Sequence, residues 1–350
     1  MKLPLFLRDS TYESGKSTFI VAEVSANHGQ SLEKAKAIIA AASQSGADAV
    51  KLQTYTPGTM TIDSLSEPFM IGKGTIWEGK SLYQLYNEAY TPWEWHAELK
   101  AEAERLGLIF FSTPFDPTAV DFLESINVNL YKVASFEIVD IPLLQKIAKT
   151  GKPVIMSTGM ASLSEIDEAV QTLRRGGCPS LALLKCTSAY PAPPEEMNLR
   201  TIPHLMQAFD VPVGLSDHTM GIAIPVAAVA IGARIIEKHL TLSRSERTPD
   251  SAFSLEPQEF SAMVKAVRET EKALGRVCYE LTSKEKDSQV FRRSLFVVRD
   301  MAAGEVFTPE NLRSIRPGKG LSPKYYNHLI GNKIKKDASA GTPVSWDLLL

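Results

Sequence analysis

"VPVGLSDHTMGIAIPVAAVAIGARIIEKH", residues 211–239, spells out one structural repeat of the fold. Its first run, "VPVGLS" (211–216), is short, apolar and partly β-branched, and its last, "ARIIEKH" (233–239), is built the same way. An Ala/Val/Ile-rich segment joins them. Strand, helical connection and strand make a βαβ unit, so the two runs should lie parallel and side by side. Each run finishes on polar groups, Ser216-Asp217-His218 in one and Glu237-Lys238-His239 in the other. A simple turn would not need them.

The same unit recurs along the chain. Further strand candidates are "FIVAEV" (19–24), "DAVKLQ" (48–53), "LIFFST" (108–113), "NLYKVA" (129–134), "PVIMST" (153–158) and "LALLKC" (181–186). Helix-period segments separate them. In 164–173, Ser164 is placed to cap, Asp167 follows three residues on, and Ile166, Ala169, Val170 and Leu173 share a face. In 257–274, Pro257 opens a run in which Phe260, Met263, Val264, Val267 and Leu274 repeat at helical spacing. Eight units in about 275 residues predict a (β/α)8 TIM barrel. The alternative is a doubly wound open sheet, but "AEVSANHGQS" after the first strand lacks the glycine-rich dinucleotide fingerprint.

Two segments break the pattern. The connection 54–91 is long and aromatic, which at that end of a barrel shapes a substrate pocket; Trp77, Tyr83, Tyr86 and Trp93 are candidates to enclose part of a ligand. After the barrel, 1–281, the polar stretch "TSKEKDSQ" opens a linker at 282–290. Residues 291–350 then carry short strand runs and the turns "AAGE", "RPGKG" and "SAGTP", predicting a small β-rich domain whose core is marginal alone.

The 350 residues carry 38 basic and 40 acidic side chains, a formal charge of −2, which gives no reason to expect nucleic-acid or anionic-membrane binding. Three scattered cysteines suggest neither a disulfide framework nor a zinc module, and they suit a reducing compartment. The opening "MKLPLFLRDS" is too briefly apolar for a signal peptide, and 222–233 is too short for a membrane span. A cytoplasmic protein is expected.

In a (β/α)8 barrel the chemistry lies at the C-terminal ends of the strands. Those ends supply Glu23, Asn27 and His28; Lys51 and Gln53; Ser112 and Thr113; Lys132 and Ser135; Ser157 and Thr158; Lys185, Thr187 and Ser188; Ser216, Asp217 and His218; and Glu237, Lys238 and His239. Taken singly, each has an ordinary explanation: a snorkelling lysine, a helix cap, a hydrogen-bonded histidine. Together they are costly unless an anion sits among them, so a phosphate or carboxylate ligand is expected. His218 and His239 end neighbouring strands about 4.8 Å apart, which suits a shared divalent ion with open coordination positions, such as Mn²⁺.

The motifs "FIVAEVSANHGQSLEKAKAIIAAASQSGADAVKLQTY", "FFSTPFD", "YKVAS", "MSTGMAS", "KCTSAYPAP", "GLSDHT", "EKH" and "PDSAF" occur in that order and resemble the sialic acid synthase family over 18–277. The segment 292–321 is similar to that family's C-terminal antifreeze-like (SAF) domain. "GTIWEGKSLYQLYNEAYTPWEWH" and "KCTSAYPAPPEEMNL" look like the branch that makes pseudaminic acid; neuraminate synthases more usually carry Asn where this chain has Ser188.

The resemblance implies condensation of phosphoenolpyruvate with open-chain 2,4-diacetamido-2,4,6-trideoxy-altrose, giving pseudaminic acid and phosphate. N-acetylneuraminate or legionaminate synthesis from another N-acetylated sugar is the alternative. It also implies a domain-swapped homodimer and a divalent ion, Mn²⁺ or else Mg²⁺ or Co²⁺. Carried over by motif, Lys51, Gln53, Thr113, Lys132, Ser135, Ser157, Ser188 and Ser216 hold phosphoenolpyruvate; His218 and His239 bind the metal; and Tyr190, Asp250 and a partner's Arg316 contact the sugar. Relatives often have glycine before Pro-Asp, where this chain has Arg247-Thr248.

Mechanistically, an ionised Glu23 would stabilise positive character at C2 and then take the proton of the water that adds there. The structural reading of Glu23 is a partner for Lys51 or Lys132. Two rival functions remain: a Schiff-base aldolase with Lys132, Lys185 or Lys238 as nucleophile, and a carbohydrate- or ice-binding protein. Neither explains the paired histidines.

Overall fold

The computed structural model describes residues 17–350, so the N-terminal stretch read for a leader lies outside the described residues. The chain divides into two units that meet at Gly275 and Arg276.

The first unit is a closed parallel barrel of eight strands in sequential order. They are β1 (Phe19–Glu23), β2 (Ala49–Thr54), β3 (Ile109–Pro114), β4 (Tyr131–Val133), β5 (Val154–Ser157), β6 (Leu181–Cys186), β7 (Val213–Asp217) and β8 (Ile235–His239). Every strand run read from the sequence is present, shifted by at most two residues at its ends. β8 closes on β1, aligning Glu23 with His239. The open-sheet alternative is excluded.

Side chains alternate across a strand, and this alternation makes two cores. Phe19, Val21, Ala49, Ile109, Phe111, Leu130, Ile155, Ala182, Leu184 and Ile235 form one cluster that fills the barrel interior. The alternate positions, among them Ile20, Val50, Phe110, Leu183 and Leu215, pack against the helices. Gly214 is required where β7 meets β8, because a Cβ there would lie 2.3 Å from the Ile235 carbonyl oxygen.

The helix Pro257–Leu274 matches its prediction. The helix expected at 164–173 instead runs Leu163–Arg175, and its cap is Ser162, not Ser164. Ser162 has extended backbone and accepts from the Glu165 N–H, while Glu165 returns the bond, a reciprocal capping box. Ser164 and Asp167 sit one step too deep to do this.

The stretch read as a linker carries the helix Ser283–Ser288, capped by Thr282 and Glu285 and with no buried residue. The second unit has an antiparallel pair, β9 (Ser294–Val297) and β10 (Leu312–Ile315). Its own core includes Leu295, Val297, Phe307, Leu312, Ile334 and Val344. No described helix is long and apolar enough to cross a membrane.

Candidate active site

Continuing the inward phase of each strand by one position reaches Glu23, Lys51, Thr113, Lys132, Ser157, Cys186, Ser216 and Glu237, and one step further reaches Gln53, His218 and His239. Apolar residues fill the barrel below and charged ones stand above, so the C-terminal mouth is the polar end. Lys185, Asp217 and Lys238 are out of phase. Lys238 pairs with Asp217 Oδ2 at 2.5 Å, both fully buried, and also donates to the Thr219 carbonyl oxygen. Lys185 donates to the Cys186 carbonyl oxygen at 2.7 Å and to Thr187 Oγ1 at 3.1 Å. Two of the three lysines considered for an imine therefore belong to other surroundings.

One half of the mouth is a network of buried charges and hydroxyls. Lys51 Nζ lies 2.5 Å from Glu23 Oε2, 3.5 Å from Glu237 Oε1, and donates to Thr113 Oγ1 at 3.2 Å. Lys132 Nζ donates to Ser157 Oγ at 2.6 Å and stands 4.0 Å from Glu237 Oε2. Ser216 Oγ donates to Glu237 Oε1 at 3.3 Å. Gln53 lies opposite Thr113 in the β2–β3 register. Ser135 and Ser188 approach the same glycine: a Cβ on Gly159 would be 2.3 Å from Ser135 Cβ and 2.8 Å from Ser188 Oγ. Ser188 Oγ is buried without a partner, as is Glu23 Oε1.

These carboxylates differ in charge. Burial pushes Glu23 up to about 7; Lys51 opposes the shift and the Glu237 charge adds to it. Glu237 feels the same burial, but Lys132 and Lys51 hold it below the usual carboxylate range. Glu237 is thus the ionised partner of the lysines. A value near 7 suits Glu23 to proton exchange.

The other half is imidazole and aromatic. The His218 and His239 rings have centroids 5.4 Å apart, and Phe253 packs against both, at 6.1 and 4.9 Å. Tyr190 tilts over His218 at 4.3 Å, and Trp77 over Tyr190 at 5.7 Å. Asp250 Oδ2 lies 3.8 Å from His239 Nδ1 and accepts from the Ala26 N–H at 3.2 Å, so Arg247 and Thr248 do not keep Asp250 away. Arg247 takes a left-handed φ of 53°, a conformation in which glycine is more usual.

A metal suits this pair. His239 Nδ1 is buried without a hydrogen-bond partner, and burial, with His218 and Lys51 beside it, holds the imidazole neutral. His218 Nδ1 lies 3.0 Å from the Thr187 carbonyl oxygen, and a proton held there would leave Nε2 free for a metal; burial lowers the pKa of this ring, but Cys186 beside it raises it above the usual imidazole value. Among the described residues no group of three or more His, Cys, Asp or Glu side chains is placed for a metal.

Reading strand ends misses or undervalues four residues. Glu237 gains no role from its position alone, although it stands two residues before His239 and so shares its face. Glu137 lies in the turn after β4; burial pushes it up to about 7, with Lys132 opposing, and its Oε2 has no partner. Its signal is an acid two residues after Ser135. Phe253 and Cys186 carry no chemical signature in sequence. Arg316 follows β10, exposed, in the second unit. Of the expected aromatic enclosure, Trp77 reaches Tyr190 and Tyr86 stands edge-on to Tyr55, whereas Trp93 stacks on Phe122 and is spent on packing. Asn27 and His28 serve structure, through Ser254 and Thr91 respectively.

Buried cations and hydroxyls form a receptor for a small anion, and carboxylates of unequal charge stand ready to exchange protons with it. Fold and mouth together define a (β/α)8-barrel enzyme acting on an anionic substrate. The particular kind follows from comparison: the chain belongs to the NeuB family, whose model matches residues 38–279, and 292–350 match the SAF domain. It is 47% identical to the pseudaminic acid synthase of Helicobacter pylori over 94% of this chain and 96% of that one. The N,N'-diacetyllegionaminic acid synthase of Campylobacter jejuni is 38% identical over 92% and 97%. Among solved structures, the N-acetylneuraminic acid synthetase of Leptospira borgpetersenii in complex with citrate superposes with TM-score 0.70 at 34% identity, over 78% of this chain and 90% of that one.

Proposed function

We propose that this enzyme condenses phosphoenolpyruvate with open-chain 2,4-diacetamido-2,4,6-trideoxy-altrose to give pseudaminic acid and phosphate. The observation that carries the reaction is the division of the mouth into a lysine-and-hydroxyl half and an imidazole-and-aromatic half. The first suits a phosphate and a carboxylate, the second an aldehyde-bearing sugar. The higher identity to pseudaminic acid synthases than to a legionaminic acid synthase supports this sugar over its alternatives.

Lys51 and Lys132, with Gln53, Thr113, Ser135, Ser157, Ser188 and Ser216, would hold phosphoenolpyruvate. His218 and His239 would hold a divalent ion, Mn²⁺ or else Mg²⁺ or Co²⁺, whose chemistry when bound is Lewis-acid polarisation of the sugar carbonyl. As C3 of the enol phosphate attacks the aldehyde carbon, Glu137 supplies the proton that the aldehyde oxygen acquires. The ionised Glu237 stabilises positive character at C2. Glu23 then takes the proton of the water adding at C2, and C–O cleavage releases phosphate among the lysines.

The enzyme is proposed to act in the cytoplasm, in keeping with three free thiols, and as a homodimer in which the partner subunit's Arg316 reaches the sugar. Phosphate release from phosphoenolpyruvate should require both the sugar and a divalent ion: none in excess EDTA, and recovery with Mn²⁺. Release at full rate in EDTA would overturn the metal. Absence of sugar-dependent release would overturn the condensation.

A further inference from the structure

A cavity of about 620 Å³ lies beyond the ends of β5 and β6; its lining includes Thr158, Gly159, Lys185, Arg200, Thr201 and His204. It adjoins the mouth at Gly159, which also abuts Ser135 and Ser188, and extends outward from β6. Lys185 is out of phase with the inward lysines, and the side of Gly159 where a Cβ would stand faces Ser135 and Ser188. Arg200 immediately precedes the helix Thr201–Phe209, with helical backbone and no side-chain capping bond, and His204 lies four residues on, so both fall on one face.

The charge of this cavity is one-sided. Lys185 is buried to nine-tenths, and its ammonium is held only by a carbonyl and a hydroxyl oxygen. Among the described residues neither Arg200 nor His204 has a side-chain hydrogen-bond or ion-pair partner, and no carboxylate lines the cavity. Lys185 is enclosed and Arg200 and His204 stand exposed at the rim; a buried ammonium beside a guanidinium, with no counter-charge, creates a positive potential that an anion relieves. A guanidinium fork, an ammonium, an imidazole and the Thr201 hydroxyl are a phosphate-recognising set, whereas the Thr158 hydroxyl donates to the Leu184 carbonyl oxygen. The volume exceeds that of a phosphate ion and falls in the range that holds small organic ligands.

We propose that this cavity binds a phosphomonoester, at a site distinct from that of phosphoenolpyruvate. The test uses the full-length protein saturated with phosphoenolpyruvate, without sugar, so that the mouth is filled. Inorganic phosphate, glucose 6-phosphate and uridine 5'-monophosphate are titrated by calorimetry into the wild type and the Arg200→Ala/His204→Ala double variant. At least one ester should bind the wild type more tightly than inorganic phosphate does. Loss of two charge-assisted contacts should weaken that binding at least about tenfold, with phosphoenolpyruvate affinity unchanged. No binding by either ester, or binding that the double variant retains in full, overturns the proposal. Filling the mouth rests on the proposed reaction, but a failure there shows in the phosphoenolpyruvate titration itself. The difference between wild type and variant still decides this site.

Discussion

Glu137 shows how much a single half-buried acid can decide. Its folded-state pKa of about 7 stands above the ordinary 4.5, chiefly through burial. Between those values the folded protein binds more protons than the unfolded chain, so stability falls as pH rises from about 4.5 to about 7. Glu137→Gln should flatten that slope, leaving the part due to Glu23. The gain at pH 8 should reach up to about 3 kcal/mol, because each tenfold difference in proton affinity between folded and unfolded states is worth about 1.4 kcal/mol. The same variant should lose about 10²- to 10⁴-fold in kcat, with phosphoenolpyruvate affinity kept. Unfolding curves across pH check the first effect and steady-state kinetics the second; an unchanged kcat would remove Glu137 from the chemistry. Lys51, Lys132 and the two histidines are legible because strand-end position alone singles them out. Glu137 is not, since its raised pKa comes from burial by neighbours distant in sequence.

At the level of elements, strand phase matters more than strand length. Apolar runs make all eight strands readable, and counting by twos from the interior residues leads to the mouth lysines. Helix starts are harder, because Ser162 with Glu165 and Ser164 with Asp167 both offer a cap, and only backbone conformation separates them. Trp93 reads as a ligand contact because an aromatic in a long insertion looks the same whether it faces a pocket or Phe122. The turn after β5 carries a testable constraint. Gly159 has φ +40° and no room for a Cβ beside Ser135 and Ser188. Overpacking of this kind costs about 1–3 kcal/mol, so Gly159→Ala should raise the KM for phosphoenolpyruvate about tenfold or more. An unchanged KM in a folded variant would separate Ser135 and Ser188 from substrate binding.

For the whole molecule, the second unit has a core of its own, and it includes only ten buried apolar residues. Arg316 lies in that second unit, on the turn after β10, and the contact proposed for it is tested through the proposed dimer. If the partner subunit's Arg316 completes each site, neither Arg316→Ala nor Lys51→Ala should be active alone. Mixing the two under subunit exchange should restore part of the activity, because one site of the heterodimer then has both groups. A mixture that exchanges subunits and stays inactive would refute the swapped arrangement.

The most direct test of the account is a comparison of kcat/KM for phosphoenolpyruvate-dependent phosphate release with three acceptors: 2,4-diacetamido-2,4,6-trideoxy-altrose, its manno-configured diacetamido counterpart, and N-acetylmannosamine. The 6-deoxy diacetamido sugars offer a methyl and a second N-acetyl methyl that the proposed aromatic enclosure by Trp77 and Tyr190, whose rings lie 5.7 Å apart, would bury. Two such groups, at about 0.8 kcal/mol each, favour them over N-acetylmannosamine by about tenfold. The altrose derivative is predicted to be the best of the three, with pseudaminic acid as the product. Equal or greater efficiency with either of the other sugars would contradict the assignment.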